Sequence, residues 1–364
     1  MIKTIYPSKT ATLIEATGSK NTGIDEILEI SKQTSESAAI TYNTRAVLQF
    51  DTSTISASLS SQAIHTASAS GSLKYYLCMY VSEEANVPLD FSLVTHPLRE
   101  AWNMGTGRVS NKPYSTNGCS WTYRTDKDSG DEWTDAGGYF HTGSHASQSV
   151  VQSFSNVAAD IEMDVTDIVE AWHNGTLTNN GFIVKRSGSQ ETNSDIYGSL
   201  FYYSRNTNTI YPPRLKVKYD DATHTGFTAL SGSVVTSDDD IIITPRLQPE
   251  YKQGSIERVI VDVQNRYGAR SQAGSVGAPM RNILPQSSSY AIIDHNTGEV
   301  VYDHDSTYTY IGRKNYNVNY FDIDTNGLFP ERFYKIQFKV NYYSGSVVIA
   351  ERYHNIPEIF KVVR

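Results

Sequence analysis

The amino-acid sequence predicts an all-β protein that contains one short helix. Segments such as Ala46–Asp51 and Phe333–Tyr342 alternate apolar and polar side chains, which is the period of a strand with one buried face. Tyrosine, which favours half-buried β surfaces, occurs 25 times in the 364 residues. Only Asp164–Gly175 shows a convincing helical period.

The predicted helix is amphipathic and needs a partner. Its apolar residues lie at i, i+3, i+4 and i+7, on one helical face: Val165, Ile168, Val169 and Trp172. Asp164 is placed to cap the amino end, and Gly175 is placed to end the helix. A helix shorter than about three turns is unstable alone, so this face must pack on something larger. The strands that follow indicate a β-sandwich: Gly181–Lys185, Leu200–Ser204 and Arg214–Tyr219.

The N-terminal region before the helix is predicted to be built from strands. Residues 90–145 are less regular, because Gly105, Gly107, Pro113 and Gly118 interrupt the pattern. The predicted strands are Thr10–Glu15, Ile27–Ile30, Ala46–Asp51, Leu73–Val81, Phe91–Val94, Cys119–Tyr123, Val150–Phe154 and Ala159–Met163.

A change of composition predicts a domain boundary at the polar segment Asp220–Gly226. We therefore expect one domain at 1–220 and a second region at 225–364. The second region is predicted to be an immunoglobulin-like β-sandwich or a pair of small β domains. Within it, Gln264–Pro285 is predicted to be a long exposed loop. The predicted strands are Phe227–Val235, Ile241–Thr244, Ile256–Val263, Tyr290–Asp294, Glu299–Tyr302, Tyr308–Ile311, Phe333–Tyr343 and Val347–Tyr353.

Composition disfavours several classes of function. A net charge of −8 without clustered basic residues disfavours nucleic-acid binding. The apolar runs are strand-sized, so no membrane insertion is expected. Cys78 and Cys119 imply no disulfide framework and are expected to be buried. Met1–Pro7 lacks the pattern of a signal peptide, so synthesis in a host cytoplasm is expected.

No catalytic motif is evident, so we do not expect an enzyme. The nine histidines are scattered, and no metalloprotease motif, CxxC pair or nucleophile elbow occurs. Gly105-Thr-Gly107-Arg108 is a fragment of a phosphate loop, but it lacks the strand-to-helix context that such a loop needs.

One acidic loop could hold a metal ion. Asp126, Asp128 and Asp131 place carboxylates close together around Gly130, and Ca²⁺ prefers such oxygen ligands. The alternative is a solvated acidic loop, because the spacing is not that of an EF-hand. No cofactor other than this structural calcium is predicted.

The tryptophans could belong either to a sugar-binding site or to the hydrophobic core. Trp133, together with Trp121 and Tyr123, could stack on the apolar face of a sugar. Trp121 and Tyr123 alternate with Cys119 on one predicted strand face, which favours a core position for Trp121. Trp172 belongs to the apolar face of the helix and is expected in the core.

The order of several short motifs over residues 1–219 resembles the DNRLRE-type domain, which is related to a carbohydrate-binding module family. The matching segments are Ala11–Ile14, Arg45–Asp51, Asp164–Trp172, Asn179–Val184, Phe201–Arg205 and Pro213–Tyr219. Between Arg45 and Leu48 this chain has one residue more than the family spacing. The resemblance implies a jelly-roll β-sandwich in an appended, non-catalytic module.

The C-terminal half is similar to segments of tailed-phage virion proteins. The similarity lies in Gly327–Pro330, before a long strand, and in the ending Asn355–Arg364. It implies a structural virion component of a tail, neck or collar, with other virion proteins as partners. We expect a homo-oligomer, for which a ring is one form. The alternative is a glycan-binding module that attaches to a host surface or polysaccharide.

Overall fold

The fold is described from a computed structural model. The structure describes residues 1–34, 40–53, 55, 73–142, 149–155, 159–220, 233–234, 241–266, 282–285, 287–314, 318–344 and 347–364. Most of three predicted segments lies outside these residues: the linker Asp220–Gly226, the strand Phe227–Val235 and the loop Gln264–Pro285.

Strands dominate the described chain, which confirms the all-β prediction. The strands of the first half are β1 (Ile2–Ile5), β2 (Pro7–Ile14), β3 (Ile27–Thr34), β4 (Thr41–Phe50), β5 (Lys74–Met79), β6 (Val81–Ala85), β7 (Phe91–Pro97), β8 (Val150–Phe154), β9 (Ile161–Asp164), β10 (Phe182–Arg186), β11 (Gly198–Tyr203) and β12 (Arg214–Lys218).

The later strands and the helices complete the described elements. The strands are β13 (Ser233–Val234), β14 (Ile241–Pro245), β15 (Glu250–Lys252), β16 (Ile256–Asn265), β17 (Asn282–Ile283), β18 (Ser289–Asp294), β19 (Val300–Tyr302), β20 (Gly312–Lys314), β21 (Val318–Asp324), β22 (Phe333–Ser344) and β23 (Val347–Val363). The described α-helices are α1 (Thr166–His173) and α2 (Gly188–Thr192), with 3-10 turns at Glu15–Thr17 and Thr325–Gly327. Within the described residues, no helix is long and apolar enough to cross a membrane.

The chain divides into two compact units. The N-terminal unit contains Ile5–Ser60 and Lys74–Val217, and the C-terminal unit contains Met1–Thr4 and Lys218–Arg364. The predicted domains at 1–220 and 225–364 stay a prediction.

Two facing sheets form the N-terminal unit. The larger is antiparallel with the order β6-β11-β3-β4-β10-β7-β8, and β2 also pairs with β4. In the smaller sheet, β5 lies between β12 and β9. The hydroxyl of Thr95 on β7 lies 3.0 Å from the sulfur of Met163 on β9, so side chains of the two sheets meet. The jelly-roll topology stays a prediction.

Helix α1 packs as its sequence predicts. All four residues of the predicted apolar face are buried, and the Trp172 ring lies 4.7 Å from the Phe182 ring of β10. Gly175 has a φ of +76°, the left-handed conformation that ends a helix at low cost. Asp164 lies one residue before the cap position, where its carboxylate accepts a hydrogen bond from the Thr166 amide at 3.0 Å.

Residues 98–142, the outer layer, cover the other face of the large sheet. Val47 and Ile183 are opposed in β4 and β10, next to the opposed pair Leu48 and Phe182, so the two pairs point to opposite faces. The outer layer packs four side chains against the face of Val47 and Ile183: Trp102, Cys119, Trp121 and Trp133.

One buried asparagine holds the outer layer in place. The Asn21 amide nitrogen donates to the carbonyls of Met104 and Cys119 at 2.8 Å, and its oxygen accepts from the Gly107 amide at 2.7 Å. A Cβ on Gly105 would lie 2.1 Å from the carbonyl oxygen of Asn117. The glycines of this segment therefore serve close backbone packing.

The predicted strand Cys119–Tyr123 is wrong. The Cys119 amide donates to the Asn103 carbonyl at 2.7 Å, and the Thr122 amide donates to the Gly18 carbonyl at 2.9 Å. These bonds join loop to loop, so the apolar alternation of this segment reflects burial in the outer layer.

The C-terminal unit contains two larger sheets around a common core, and a short parallel pair of β13 with β17. One has the order β14-β16-β21-β20, and the other has the order β15-β23-β22-β18-β19. Phe321 of β21 lies 4.2 Å from the Tyr290 ring and 5.8 Å from the Phe338 ring, so residues from both sheets share the core. The Met1 amine donates to the carbonyls of Tyr219 and Tyr308, each at 2.6 Å. An immunoglobulin-like topology stays a prediction.

Candidate functional site

The predicted sugar-binding rings lie in the outer layer. Trp133 is 4% exposed and Trp121 is 9% exposed, while Tyr123 is half-buried. The Trp133 indole donates to the Ser120 carbonyl at 2.9 Å. A sugar platform needs an open aromatic face, and these indoles pack a core instead. Glycan binding through Trp133, Trp121 and Tyr123 stays a prediction that their position does not support.

The acidic loop makes local contacts. Asp126 accepts a hydrogen bond from the Ser129 amide at 2.6 Å, and Asp131 lies 3.6 Å from Arg124. In the described part of the chain, no three His, Cys, Asp or Glu side chains come together to hold a metal ion. Calcium binding by Asp126, Asp128 and Asp131 stays a prediction without a preformed site.

A buried ion network lies between the large sheet and α2. The Glu191 carboxylate accepts two hydrogen bonds from Arg45, both at 2.9 Å, and one from the Lys185 amine at 2.6 Å. Arg45 also lies 4.8 Å from the Trp121 ring centre. Burial lowers the pKa of Lys185, although Glu191 acts in the opposite direction. Two cations therefore share one carboxylate in a site with little water.

His96 borders this network as an uncharged ring. It stacks on Phe140 at 4.7 Å, and its Nδ1 is buried with no hydrogen-bond partner in the described part of the chain. Burial and the nearby Lys185 lower the pKa of His96 to about 4, from an ordinary value of 6.5. This packing therefore stabilises the neutral form of the His96 imidazole.

Acidification is expected to destabilise the N-terminal unit through His96. Because the folded pKa lies below the unfolded value, the unfolded chain binds more protons between pH 6.5 and about 4. The stabilisation is complete above pH 6.5 and falls by about 3 kcal/mol as the pH drops to 4. Urea unfolding followed by tryptophan fluorescence measures the loss in wild type and in His96→Gln. An equal pH slope in both proteins would exclude His96 as a source.

A surface pocket of about 300 Å³ opens at the edge formed by β7 and β8. Phe91 and Phe154 stack across the two strands at 4.7 Å, and the hydroxyls of Ser92 and Ser153 lie 3.0 Å apart. Asp90 and Gln190 also line the pocket. Both rings are buried, at 3% and 6% exposure, so the pocket offers a small polyhydroxylated ligand its hydroxyls, carboxylate and amide.

Few features of the sequence predict this pocket. Phe91 and Phe154 were both placed on predicted strands, but their pairing depends on the register of β7 with β8. Gln190 comes from α2, whose five residues have no predictive period. The network was also missed, although Lys185-Arg186 at the end of a fully buried strand indicates a buried counter-charge.

A long open edge is the main surface feature of the C-terminal unit. Strand β23 pairs along its length with β22, and β15 pairs with its other edge only at Lys361–Val363. No other strand among the described residues pairs with β23. Three apolar or aromatic side chains stand out along the open part at 64%, 58% and 54% exposure: Val347, Ile349 and Tyr353. Unpaired edges of this kind accept an additional strand.

Comparisons with known proteins place the chain in no family. No protein-family model matches it. No curated protein matches it either. The resemblances to the DNRLRE-type domain and to phage virion proteins therefore remain expectations, and function is argued from the surfaces described above.

Proposed function

We propose that the chain is a non-enzymatic structural component of a tailed-phage virion, in a tail, neck or collar, that assembles through its β domains. The observation that supports this most is the open, apolar edge of β23 from Val347 to Asn355. An extended, weakly charged segment of a neighbouring virion protein can pair with this edge through backbone hydrogen bonds.

Assembly through strand addition has a defined physical basis. The edge supplies backbone donors and acceptors, and Val347 and Ile349 supply apolar surface that pairing would remove from water. A soluble monomer would ordinarily block such an edge with charge or a bulge. In β23 Pro357 and one register shift against β22 lie beyond this stretch, toward the carboxyl end. A second shift makes Ile349 an extra residue opposite Tyr342 and Tyr343, so the edge is regular from Ala350 to Asn355. A repeated contact of this type can also close a ring of copies.

Electron microscopy of labelled particles tests the proposal. An epitope fused after Arg364 is expected to place antibody at one fixed level of the tail, neck or collar. Ile349→Lys is expected to lower incorporation at least tenfold, because it puts a charge on the pairing edge. Leu89→Lys, at an exposed site of the N-terminal unit, is the matched control and should incorporate normally. Particles without label would overturn the virion role.

Glycan binding is the second candidate, and the pocket at Phe91 and Phe154 favours it. A pyranose ring has hydroxyls that can pair with Asp90 and Ser153, whereas Phe91 and Phe154 are buried and offer it no open aromatic face. The pocket volume fits one sugar residue better than a long chain. Attachment to a host surface or polysaccharide would then belong to the N-terminal unit.

A glycan array distinguishes this site from the predicted tryptophans. Wild type should bind a subset of glycans, and Asp90→Ala should lose at least tenfold in affinity. Asp128→Ala removes a carboxylate that is likewise exposed, from the acidic loop, and should bind like wild type. Binding that Asp90→Ala keeps and Trp133→Phe loses would move the site to the outer layer. Absence of binding by wild type would argue against the glycan role.

A further inference from the structure

A buried lysine lies against the side-chain amide of an asparagine in the N-terminal unit. Lys32 of β3 has no exposed surface. Its amine contacts the side-chain oxygen of Asn193 at 2.9 Å, the Gln190 carbonyl at 2.8 Å and the Asn193 carbonyl. The amide carbon of Asn193 is bonded to the first of these oxygens. The amine is therefore held in contact with the amide group that it would attack.

Two further groups bind the nitrogen of the same Asn193 amide. The Asn193 amide nitrogen donates to the Asp195 carboxylate at 3.0 Å and to the Tyr197 hydroxyl oxygen at 2.8 Å. The Asn193 side chain thus contacts the Lys32 amine through its oxygen and the Asp195 carboxylate through its nitrogen. A carboxylate in this position can deliver a proton to a departing nitrogen.

The surroundings of Lys32 favour the reactive form of its amine. Only the neutral amine is a nucleophile. Burial lowers the pKa of Lys32, against the opposing effect of Asp195 and Glu191. The Tyr197 ring lies 5.9 Å from the amine and helps to keep water away.

We propose that Lys32 and Asn193 form an intramolecular isopeptide bond. The Lys32 Nζ attacks Cγ of Asn193 and forms a carbon–nitrogen bond. Nζ gives up one proton, and Asp195, which contacts Nδ2, delivers one proton there. The Cγ–Nδ2 bond breaks, ammonia leaves, and no oxidant or reductant takes part.

The bond would join two distant parts of the unit. Lys32 lies on β3, and Asn193 follows α2 in the connection from β10 to β11, 161 positions later. Both cysteines are free and buried, so no disulfide takes this role. An amide link between these positions would tie α2 to the large sheet covalently, whether or not the chain belongs to a virion or binds a glycan.

The intact mass of the purified, folded chain tests the proposal directly. The bond removes one ammonia, so the mass is expected about 17 Da below that of the sequence. Trypsin should fail to cut after Lys32, and a branched peptide containing Lys32 and Asn193 should appear. A folded protein with the full mass, stable over prolonged incubation at 37 °C, would overturn the proposal and leave Lys32 as an ion that binds the carbonyls after α2.

Variants separate this bond from other losses of ammonia. Lys32→Arg keeps the cation and should restore the full mass, and Asp195→Asn should slow or abolish the loss. Ser194→Ala, at the exposed position between Asn193 and Asp195, is the control and should keep the deficit. A deficit that persists in Lys32→Arg would come from a succinimide at Asn193 and would overturn the proposal.

Discussion

Glu191→Ala is expected to lower the free energy of unfolding of the N-terminal unit by about 3–5 kcal/mol. The side chain of Glu191 is 7% exposed, and it is the shared partner of Arg45 and Lys185. Removing it leaves two cations facing each other where water cannot solvate them. All four tryptophans lie in this unit, so denaturant unfolding followed by tryptophan fluorescence reports on it selectively.

Two controls show whether burial of the pair is the cause. Glu26→Ala breaks an ion pair with Arg108 in which both side chains are about half exposed, and the loss should stay below about 1 kcal/mol. Glu191→Gln keeps the shape of the side chain but not its charge. Its loss of unfolding free energy should lie between those of Glu191→Ala and Glu26→Ala. Equal losses in Glu191→Ala and Glu26→Ala would show that the network contributes no more than a surface pair.

Helix α1 could be predicted because its information is local. The spacing of Val165, Ile168 and Val169 specifies one buried face, and Gly175 specifies where the helix ends. Many strands were predictable for the same reason, since alternation within a few residues marks a half-buried strand. Cys119–Tyr123 and Tyr308–Ile311 were predicted as strands but are not strands in the structure.

The outer layer could not be predicted in the same way. Its backbone hydrogen bonds connect Cys119 with Asn103 and Thr122 with Gly18, and such pairings leave no period in the sequence. Trp133 was placed beside an exposed acidic loop, yet its indole reaches the Ser120 carbonyl through this layer. Local composition therefore indicated exposure where long-range contacts produce burial.

The candidate sites depend on contacts between distant residues. Arg45 and Glu191 are separated by 146 positions, and Lys32 and Asn193 by 161. The pocket forms because β7 and β8 pair in the register that places Phe91 opposite Phe154. A single sequence specifies which segments form strands far better than which residues those strands bring together, because strand register is set by the whole buried face.

Trp172→Ala is expected to lower the free energy of unfolding of the N-terminal unit by about 3–5 kcal/mol. The substitution removes an indole that is 8% exposed and lies 4.7 Å from Phe182, a ring that also contacts Phe50. The cavity would open between α1 and the large sheet, and a helix of two turns has little stability of its own to keep its place. Fluorescence from the three remaining tryptophans still follows unfolding.

The Trp172→Phe variant tests whether packing is the cause. The indole nitrogen is buried without a hydrogen-bond partner among the described residues, so phenylalanine gives up no hydrogen bond there. Trp172→Phe should lower the free energy of unfolding by less than about 1.5 kcal/mol, since it keeps an aromatic ring against Phe182. Neither variant should selectively remove a binding activity, because Trp172 faces the core. A Trp172→Ala protein as stable as wild type would show that α1 does not depend on this contact and would remove the main support for its place over the sheet.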